Sequence, residues 1–504
     1  MSMQRIGSVF VIAFLAACTA GLRAQAVDGE AIGAALTRLL AVSALDGARV
    51  GVVVFEPGST RVLAEARPDE GFITASNMKL ISSAVALEVL GRDHVFVTRL
   101  EGAGALQADG TFVGDLVLVG DGDPTLGAAI FEKAGPTAPF VRMAAELEKR
   151  GIKRITGRVI GDDSCQPDEV MGLGWDWSYH ADWYAAQVGG LCFNENCIDV
   201  VFDGTAGGQL ARLRFEPATR YVQIENRVRC VEAPGSESSA GTAPRGVTWS
   251  RRLGGNHIVL TGSLSSATRS LRDSGSVHNP TAFAATVLRE TLVRHGIAVD
   301  AGVADLDEVE APPAQAPRVL LAEHRSPQLA VIVRALNKRS QNLYAEQLPR
   351  AAARARKKPG SMAGAREVAR TELARLGVDT RRLVLADGSG LSRLNMVAPR
   401  QLATLLHGMQ GSPNFEVYLD SLPLAGVDGT LRRRFAGSSV ARGRVRAKTG
   451  FVSRTVGLSG YVPRGKAAPL VFSILVNDFV GPAGPVQAAV DRFVEEVCAA
   501  CPAS

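Results

Sequence analysis

The first residues able to do chemistry are a serine and a lysine three positions apart, Ser76 and Lys79 in the sequence Ser-Asn-Met-Lys. A serine hydroxyl is a weak nucleophile at its ordinary pKa and needs a base beside it. Apolar residues at helical spacing follow Ser76, and positions i and i+3 of a helix share one face, so the Lys79 amine can reach the Ser76 hydroxyl. The pair predicts nucleophilic catalysis by Ser76, with Lys79 as a base that burial keeps neutral.

Two more short motifs follow along the chain. Residues 340–342 have the form S-x-N, and residues 448–450 have the form K-T-G at the start of a predicted strand. Ser340 is suited to relay a proton to the leaving amine, and Asn342 is suited to hold both Lys79 and a substrate amide. The two motifs therefore predict the polar groups that a serine nucleophile needs around it.

The K-T-G motif predicts how the substrate is held. Lys448 and Thr449 are suited to bind a terminal carboxylate, and Lys448 is also the second cation expected to lower the pKa of the catalytic lysine. Gly450 has no side chain, so we expect the substrate to approach this strand closely. The backbone N–H groups of Ser76 and Phe451 would then form an oxyanion hole that stabilises the transition state.

Each motif alone has an ordinary structural explanation. Ser76 could cap a helix, Lys79 could lie on a solvated helix face, and Lys448 could protect a strand edge. The order of the three motifs and their positions at a helix start and a strand start favour catalysis instead. This triplet is typical of the active-serine enzymes that recognise penicillin.

Four longer sequence blocks indicate which family of these active-serine enzymes the chain resembles. They are G-x-G-D-P-x-L at 120–126, G-W-x-W at 174–177, G-S-G-L-S-R at 388–393 and L-P-x-A-G-x-D-G-T-L at 422–431. With the triplet, they resemble the D-alanyl-D-alanine carboxypeptidase/endopeptidase family, the low-molecular-mass class C penicillin-binding proteins. The matching segments run from residue 74 to about residue 477, which is most of the chain.

The resemblance implies an α+β fold, a serine β-lactamase/transpeptidase-like domain whose five-stranded antiparallel sheet is flanked by helices and interrupted by nested β-rich inserted domains. The hydrophobic pattern agrees, because strand-like runs lie near both ends of the chain and Gly-rich β-like runs begin near residue 99. We therefore assign residues 27–98 and 322–504 to a D,D-peptidase domain and residues 99–321 to inserted domains. A string of independent domains is the alternative.

The resemblance also implies a reaction. Ser76 would attack the carbonyl of the penultimate D-Ala of a peptidoglycan stem peptide and expel the terminal D-Ala, and water would then release the acyl-enzyme. The same site would cut the crosslinks between D-Ala and a diamino acid, which is an endopeptidase activity. β-Lactams would inhibit covalently by acylating Ser76. No cofactor or metal is expected.

The resemblance also implies that two further residues contact the substrate's diamino acid. Arg393 would contact its carboxylate, and Asp162 would contact its side-chain amine from the inserted domains; a structural ion pair is the alternative for both. The chain departs from the family pattern at Thr74, where Pro is frequent, and at Phe451, where a small hydroxyl residue is usual. The second departure leaves substrate preference beside the scissile bond open.

Other functions have less support in the sequence. A β-lactamase shares the triplet, but it rarely carries so long an insertion, and no E-x-x-L-N segment is present. A non-catalytic peptidoglycan-binding protein would need neither of the two motif lysines. The seven histidines are scattered without H-E-x-x-H spacing, and there is no G-x-S-x-G elbow or P-loop.

The N-terminus predicts export. Arg5 precedes an apolar run over residues 6–17, which is too short to span a membrane and typical of a signal-peptide core. Ala24-Gln25-Ala26 is a cleavage pattern that would make residues 1–26 a signal peptide, whereas residues 15–18 resemble a lipobox that would place a lipid on Cys18. We therefore expect a protein of the periplasm or cell envelope, with ordinary cleavage and a lipid anchor both open.

The remaining cysteines fit an oxidising compartment. Six are left when Cys18 is set aside, an even number that predicts disulfides. Cys165, Cys192, Cys197 and Cys230 fall in one region and are expected to pair among themselves, in an order that the sequence does not determine. Cys498 and Cys501 are expected to form a staple at the C-terminus.

Composition and charge give broad limits. Hydrophobic residues make up 46% of the 504 and charged residues 21%, as in a globular protein with a large core. The net charge of +6 is small for this length, and no dense Lys/Arg run with interleaved aromatics is present, which argues against nucleic acid as a partner. A mild positive field suits an anionic partner such as the cell wall, although it could equally serve solubility alone.

Overall fold

The computed structural model describes residues 26–232, 246–309 and 317–502. Nearly all of the predicted signal peptide at 1–26, Cys18 included, lies outside these ranges. The described chain opens with helices and strands in this order: α1 (Gly29–Leu40), β1 (Arg49–Phe55), β2 (Val62–Ala66) and α2 (Met78–Leu90). Helix α1 begins where the Asp28 side chain accepts a hydrogen bond from the backbone N–H of Ala31, which satisfies one free donor of the first turn.

The middle of the chain is rich in short strands. They are β3 (Val97–Leu106), β4 (Thr111–Val119), β5 (Arg154–Ile155), β6 (Val159–Asp162), β7 (Cys197–Asp203), β8 (Arg212–Glu216), β9 (Gln223–Val231), β10 (Thr248–Arg251), β11 (His257–Ser265), β12 (Leu271–Ser276), β13 (Ala298–Val299), β14 (Val303–Asp305) and β15 (Arg318–Arg325). Two helices accompany them, α3 (Ala138–Lys149) and α4 (Pro280–Arg294).

These strands form three sheets. Seven strands make the largest, in which β13, β5, β4, β3 and β15 lie side by side and β6 bridges β4 to β14. Two smaller sheets have the orders β12-β7-β8 and β10-β11-β9. The strands and helices of this part share an apolar core of their own, which includes Leu116, Phe140, Phe202 and Leu288.

The last part of the chain is helical before it returns to strands. Its elements are α5 (Leu329–Arg339), α6 (Asn342–Ala355), α7 (Met362–Arg375), α8 (Pro399–Met409), α9 (Phe415–Ser421), β16 (Arg446–Val452), β17 (Thr455–Arg464), β18 (Ala467–Asn477) and α10 (Ala483–Ala499). Strands from both ends of the chain then meet in one five-stranded sheet of order β16-β17-β18-β1-β2, antiparallel throughout. The predicted fold class is confirmed.

The central sheet is covered on both faces. Successive side chains of a strand point to opposite faces, and in β1 Val53 and Phe55 pack with α2 and α5–α8, whereas Val52 and Val54 pack with α1 and α10. All four are at most 1% exposed, and burial of each such side chain stabilises the fold by roughly 1.5–3 kcal/mol. The helix that follows Ser76 is thereby packed rigidly against the sheet.

The predicted division into domains stays a prediction. The proposed cuts at residues 98/99 and 321/322 both fall within paired strands, because β15 pairs with β3 from Arg325 opposite Val97 to Arg318 opposite Ala103. The chain thus leaves and re-enters the helical part through two adjacent antiparallel strands. Within the described ranges, no helix is both long enough and apolar enough to cross a membrane.

The cysteines differ from expectation. All six in the described residues are free thiols: Cys165, Cys192, Cys197, Cys230, Cys498 and Cys501. Their sulfur atoms face separate partners; the Cys165 thiol donates to Gly190 O over 3.7 Å and the Cys498 thiol to Val440 O over 3.3 Å. A disulfide requires two sulfur atoms about 2.05 Å apart. The predicted pairing of the four central cysteines and the predicted C-terminal staple are therefore corrected.

Candidate active site

Ser76 lies where the chain turns into α2. Residues Ala75–Asn77 form a single 3-10 turn, and the α-helix proper begins at Met78. No side chain caps the helix at Asn77, and the Ser76 hydroxyl is hydrogen-bonded to the Lys79 amine instead, Oγ to Nζ 2.8 Å. Ala75 holds a left-handed φ of 45°, a strained conformation for a residue with a side chain. Ser76 is thus not the helix cap that a lone serine here would suggest.

Lys79 is fully buried and has three polar neighbours. Its Nζ lies 2.8 Å from Ser76 Oγ, 2.7 Å from Asn342 Oδ1 and 2.6 Å from Ser389 O. Burial lowers the pKa of Lys79 to about 7, against the opposing effect of the Asp387 and Glu346 carboxylates. A large share of the amine is therefore neutral near pH 7.

Two acceptors, of which only Asn342 was predicted, determine which way the neutral Lys79 amine points. Asn342 Oδ1 and the Ser389 carbonyl can only accept hydrogen bonds, so they take the two hydrogens of a neutral Lys79. The lone pair is left facing the Ser76 hydroxyl. This is the arrangement that a general base requires.

Lys448 lies at the other end of the site. Its Nζ donates to Ser340 Oγ over 2.9 Å and to Thr449 O over 3.0 Å, and the side chain is fully buried. Burial, and then the charge of Lys79, lower the pKa of Lys448 well below its usual range. Burial is the largest cause of the lowered pKa of both lysines, and the repulsion between their charges, which acts on both amines, disfavours the state in which both are protonated.

The S-x-N motif joins the two lysines. Ser340 ends α5 with a left-handed φ of 61°, and Asn342 is the first residue of α6. A serine in this conformation is uncommon, since glycine or asparagine usually ends a helix this way. The chain reversal between α5 and α6 presents Ser340 to Lys448 and Asn342 to Lys79.

Gly450 has a packing role that the sequence did not indicate, and its predicted part in substrate binding stays a prediction. A Cβ atom on Gly450 would lie 2.6 Å from Asn77 Nδ2 and 2.7 Å from Thr74 O, closer than real contacts allow. The missing side chain therefore admits the turn that carries Ser76. Glycine at this position lets the K-T-G strand lie directly against the turn of Ser76.

Gly450→Ala is accordingly expected to push the strand away from the turn. We expect a loss of roughly 1–3 kcal/mol in the free energy of unfolding, as for an overpacked core, together with slower acylation of Ser76 by penicillin. Gly33→Ala in α1 is the matched control, because a Cβ there meets nothing within 4 Å. Equal stability and equal acylation of the two variants would contradict this account of Gly450.

Thr449 and Phe451 lie at the open side of the strand. The Thr449 hydroxyl is 2.7 Å from the hydroxyl of Thr430, a residue within the 422–431 block whose contribution the sequence did not single out. The Phe451 side chain is 58% exposed. The predicted oxyanion hole, formed by the backbone N–H groups of Ser76 and Phe451, stays a prediction.

A buried carboxylate network supports the site from behind. Asp387 accepts hydrogen bonds from Gly390 N, Ser392 N, Asn395 Nδ2 and Trp175 Nε1, all at 2.7–2.9 Å. These bonds shape the loop that presents the Ser389 carbonyl to Lys79.

Glu346 holds the same loop from α6. Its Oε1 accepts from the backbone N–H groups of Gly388 and Ser389, and its Oε2 accepts from Arg350. Sequence reasoning missed this residue, because a glutamate in an alanine-rich helix looks like an ordinary surface position. Asp387 could have been identified from the sequence, since it directly precedes the G-S-G-L-S-R block.

The middle part of the chain also contributes to the site. The backbone carbonyl of Tyr184 accepts a hydrogen bond of 2.6 Å from Asn342 Nδ2. This contact turns the Asn342 amide so that its oxygen faces Lys79. No motif around Tyr184 indicated it.

Arg393 and Asp162 have different surroundings. The Arg393 guanidinium is exposed and donates to Ser453 O over 2.7 Å, at the turn between β16 and β17. Asp162 is buried in β6, where its carboxylate accepts from Arg318 over 3.0 Å and from Ser164 Oγ over 2.6 Å. The structure places Arg393 beside the K-T-G hairpin and gives Asp162 a structural ion pair outside the hydrogen-bonded group around Ser76.

A cluster of three aspartates lies elsewhere in the described residues. Carboxylate oxygens of Asp163, Asp168 and Asp307 lie within 4.8 Å of one another, and Asp163 is already bonded to the Thr281 hydroxyl. No further feature of these residues points to a metal ion. The arrangement around Ser76 is instead suited to acyl transfer by a serine and a neutral lysine.

Known proteins resemble both the sequence and the fold. The profile of the D-Ala-D-Ala carboxypeptidase 3 (S13) family matches residues 32–497. The D-alanyl-D-alanine carboxypeptidase of Actinomadura sp. (strain R39) is 35% identical over 487 residues, which cover 92% of this chain and 85% of that protein. The D-alanyl-D-alanine carboxypeptidase DacB of Haemophilus influenzae is 26% identical over 442 residues, 86% of each chain. The crystal structure of penicillin binding protein 4 (dacB) from Haemophilus influenzae shares the fold, with a TM-score of 0.74 and 24% identity over 92% of this chain and 97% of that one.

Proposed function

The chain belongs to the D-Ala-D-Ala carboxypeptidase 3 (S13) family and is therefore a serine-type D-Ala-D-Ala carboxypeptidase, and we propose that Ser76 is the nucleophile of this reaction. One observation supports this more than any other. The Ser76 hydroxyl is 2.8 Å from a buried lysine amine whose pKa is about 7 and whose hydrogens have other acceptors. A serine activated in this way can attack an amide carbonyl.

The proposed first step forms the acyl-enzyme. Lys79 takes the proton of Ser76 as Oγ attacks the carbonyl of the penultimate D-Ala, and the backbone N–H groups of Ser76 and Phe451 stabilise the resulting oxyanion. The Ser340 hydroxyl, bonded to Lys448, relays a proton to the amine of the departing D-Ala, and the proton that Lys79 took from Ser76 replaces the one that Ser340 gives up. Hydrolysis by water then frees Ser76.

Substrate binding is proposed to use the K-T-G strand. The Thr449 hydroxyl, paired with Thr430, is placed to donate to the terminal carboxylate, with Lys448 directly behind it. A carboxylate arriving near Lys448 would favour the charged form of that amine, since an opposite charge raises the pKa of a lysine. The bound carboxylate thereby promotes protonation of Lys448, whose positive charge then balances it.

We extend the proposal to crosslinked peptides and to β-lactams. The same Ser76 would cut the amide between D-Ala and a diamino acid, with Arg393 as the exposed cation for the additional carboxylate. β-Lactams would acylate Ser76 because they imitate the peptide. A contact of Asp162 with the substrate amine has no support from its surroundings, since Arg318 and Ser164 already bind its carboxylate.

The proposed place of action is the periplasm or cell envelope, where peptidoglycan is found. The apolar run at residues 6–17 supports export, and the lipobox pattern at residues 15–18 supports a lipid on Cys18. Intact-mass measurement of the membrane-associated protein distinguishes the two forms. A mass that fits cleavage after residue 26 would exclude the lipid anchor.

The pKa of Lys79 sets an expected pH dependence. Below pH 7 this amine becomes protonated and cannot accept the Ser76 proton, so we expect the acylation rate to fall roughly tenfold per pH unit on the acid side. Stopped-flow acylation by a fluorescent penicillin between pH 5 and pH 9 measures it. A rate that is level from pH 5 to pH 8 would exclude Lys79 as the base.

The proposed function is tested with the purified protein. Fluorescent penicillin should form a covalent adduct on the peptide that contains Ser76, with no adduct on the Ser76→Ala variant, and the wild type should release D-Ala from a stem pentapeptide and monomers from crosslinked muropeptides. No adduct on the wild type would overturn the proposal. Rapid turnover of penicillin without peptide cleavage would identify a β-lactamase instead.

A further inference from the structure

A short loop of the middle part reaches the S-x-N motif. Residues Asn194, Glu195 and Asn196 all have left-handed φ values, 49°, 56° and 56°. Side-chain bonds hold this conformation: Asn194 Nδ2 donates to Cys197 O over 2.9 Å, and Asn196 Oδ1 accepts from Phe193 N over 3.0 Å. Three such residues in a row are costly and persist only where the surroundings enforce them.

The loop points the Glu195 carboxylate at the start of α6. Gln341 Nε2 donates to Glu195 Oε2 over 2.5 Å, and the Tyr344 hydroxyl donates to Glu195 Oε1 over 2.9 Å. Gln341 immediately precedes α6, and Tyr344 lies in its first turn. A carboxylate is favoured at this end of a helix, where the N–H groups and the helix dipole carry positive charge.

Gln341 is the central residue of the S-x-N motif. Its backbone joins Ser340, which is bonded to Lys448, to Asn342, which is bonded to Lys79. Rotation of the chain at Gln341 would therefore change both lysine contacts together. The left-handed Ser340 directly before it has little preference of its own for this conformation.

We propose that Glu195 is a positioning residue for acylation: its bond to Gln341 holds Ser340 and Asn342 at hydrogen-bond distance from the two catalytic lysines. This inference rests on the proposed function, since it concerns the same acylation of Ser76. It assigns the middle part of the chain a share in the chemistry. Together with the Tyr184 carbonyl on Asn342, it means that the S-x-N motif is held from outside the helices that carry it.

The test compares acylation rates of variants with that of the wild type. Glu195→Ala and Gln341→Ala should each slow acylation by fluorescent penicillin by roughly 10–100-fold, the scale of a small displacement of catalytic groups. KM for a stem peptide should change far less than kcat, because neither residue touches the carboxylate-binding strand. The double variant should be no slower than either single variant, since both changes remove one bond.

Two further variants separate positioning from stability. Glu195→Gln keeps an oxygen for Gln341 Nε2 and an amide donor for the Tyr344 hydroxyl, so it should retain most of the wild-type rate. Tyr344→Phe removes the other bond of the Glu195 carboxylate, so it should lower the melting temperature while leaving the acylation rate near that of the wild type. Circular dichroism confirms folding for each variant.

The outcomes are distinct. A wild type that forms no penicillin adduct overturns the proposed function itself. A wild type that is acylated at the same rate as folded Glu195→Ala overturns the positioning role alone, and so does additive slowing in the double variant. If Glu195→Ala does not fold, Gln341→Ala decides, since it breaks the same bond from the other side.

Discussion

Lys79→Met is expected to slow acylation of Ser76 by penicillin roughly 10²–10⁴-fold, the usual contribution of a general base. Methionine is close in size to lysine and uncharged, so it occupies the buried space without a lone pair for the Ser76 proton. It also leaves Asn342 Oδ1 and Ser389 O without their donor. The loss should be seen in kcat for a D-Ala-D-Ala peptide as well as in the acylation rate.

The control for this variant is Lys358→Met, which changes a lysine on the surface that is paired with Glu367. We expect wild-type acylation for it, because a surface ion pair contributes about 1 kcal/mol or less to stability. Raising the pH should not rescue Lys79→Met, since the amine beside the Ser76 hydroxyl is gone and the remaining amine, Lys448, is bonded to Ser340 instead. Acylation of Lys79→Met within about tenfold of the wild type, a loss smaller than a general base contributes, would show that another group activates Ser76.

Asp387→Asn is expected to lower the free energy of unfolding by roughly 3 kcal/mol or more, through buried donors that lose a charged acceptor. One carboxylate oxygen accepts from Gly390 N and Asn395 Nδ2, and the other accepts from Ser392 N and Trp175 Nε1. In either orientation, the NH2 group of the asparagine would face two of these N–H donors. The loop that presents Ser389 O should loosen as well, and acylation should slow.

Urea denaturation of Asp387→Asn beside Asp69→Asn measures this effect. Asp69 is an exposed carboxylate paired with Arg400, and its replacement should change stability by less than about 1 kcal/mol. Equal midpoints for the two variants would show that the hydrogen bonds of Asp387 contribute nothing net. The comparison isolates burial, since both substitutions remove one charge.

The motif residues could be predicted because their chemistry is local. Ser76 and Lys79 are three positions apart on a helix, so the sequence alone predicts their contact, and the structure shows it at 2.8 Å. The five-stranded sheet was predictable through the resemblance to the family, and the strand-like runs near both ends of the chain agreed with it. The purpose of Gly450 was not predictable, since the atoms that fill its space belong to residues 74 and 77.

The pairing of the cysteines was not predictable from the sequence. An even number in an exported chain is compatible with disulfides, but pairing depends on the distance and direction of two sulfur atoms. In the structure the Cys165 and Cys498 sulfur atoms face separate backbone carbonyls, and the six described cysteines are free. Counting residues therefore could not decide the question, and the fold decided it.

The sequence by itself determined which residues are proposed as the nucleophile, its base and the two partner motifs, because their residue types and short spacings carry the chemistry. The burial that keeps Lys79 neutral was expected, but only the tertiary structure decided which groups surround this amine and what holds the S-x-N motif. Glu195 lies 146 positions from Gln341, and Tyr184 lies 158 positions from Asn342. Contacts over such separations depend on how the whole chain packs, and burial, which lowers the pKa of Lys79, exists only once it has packed.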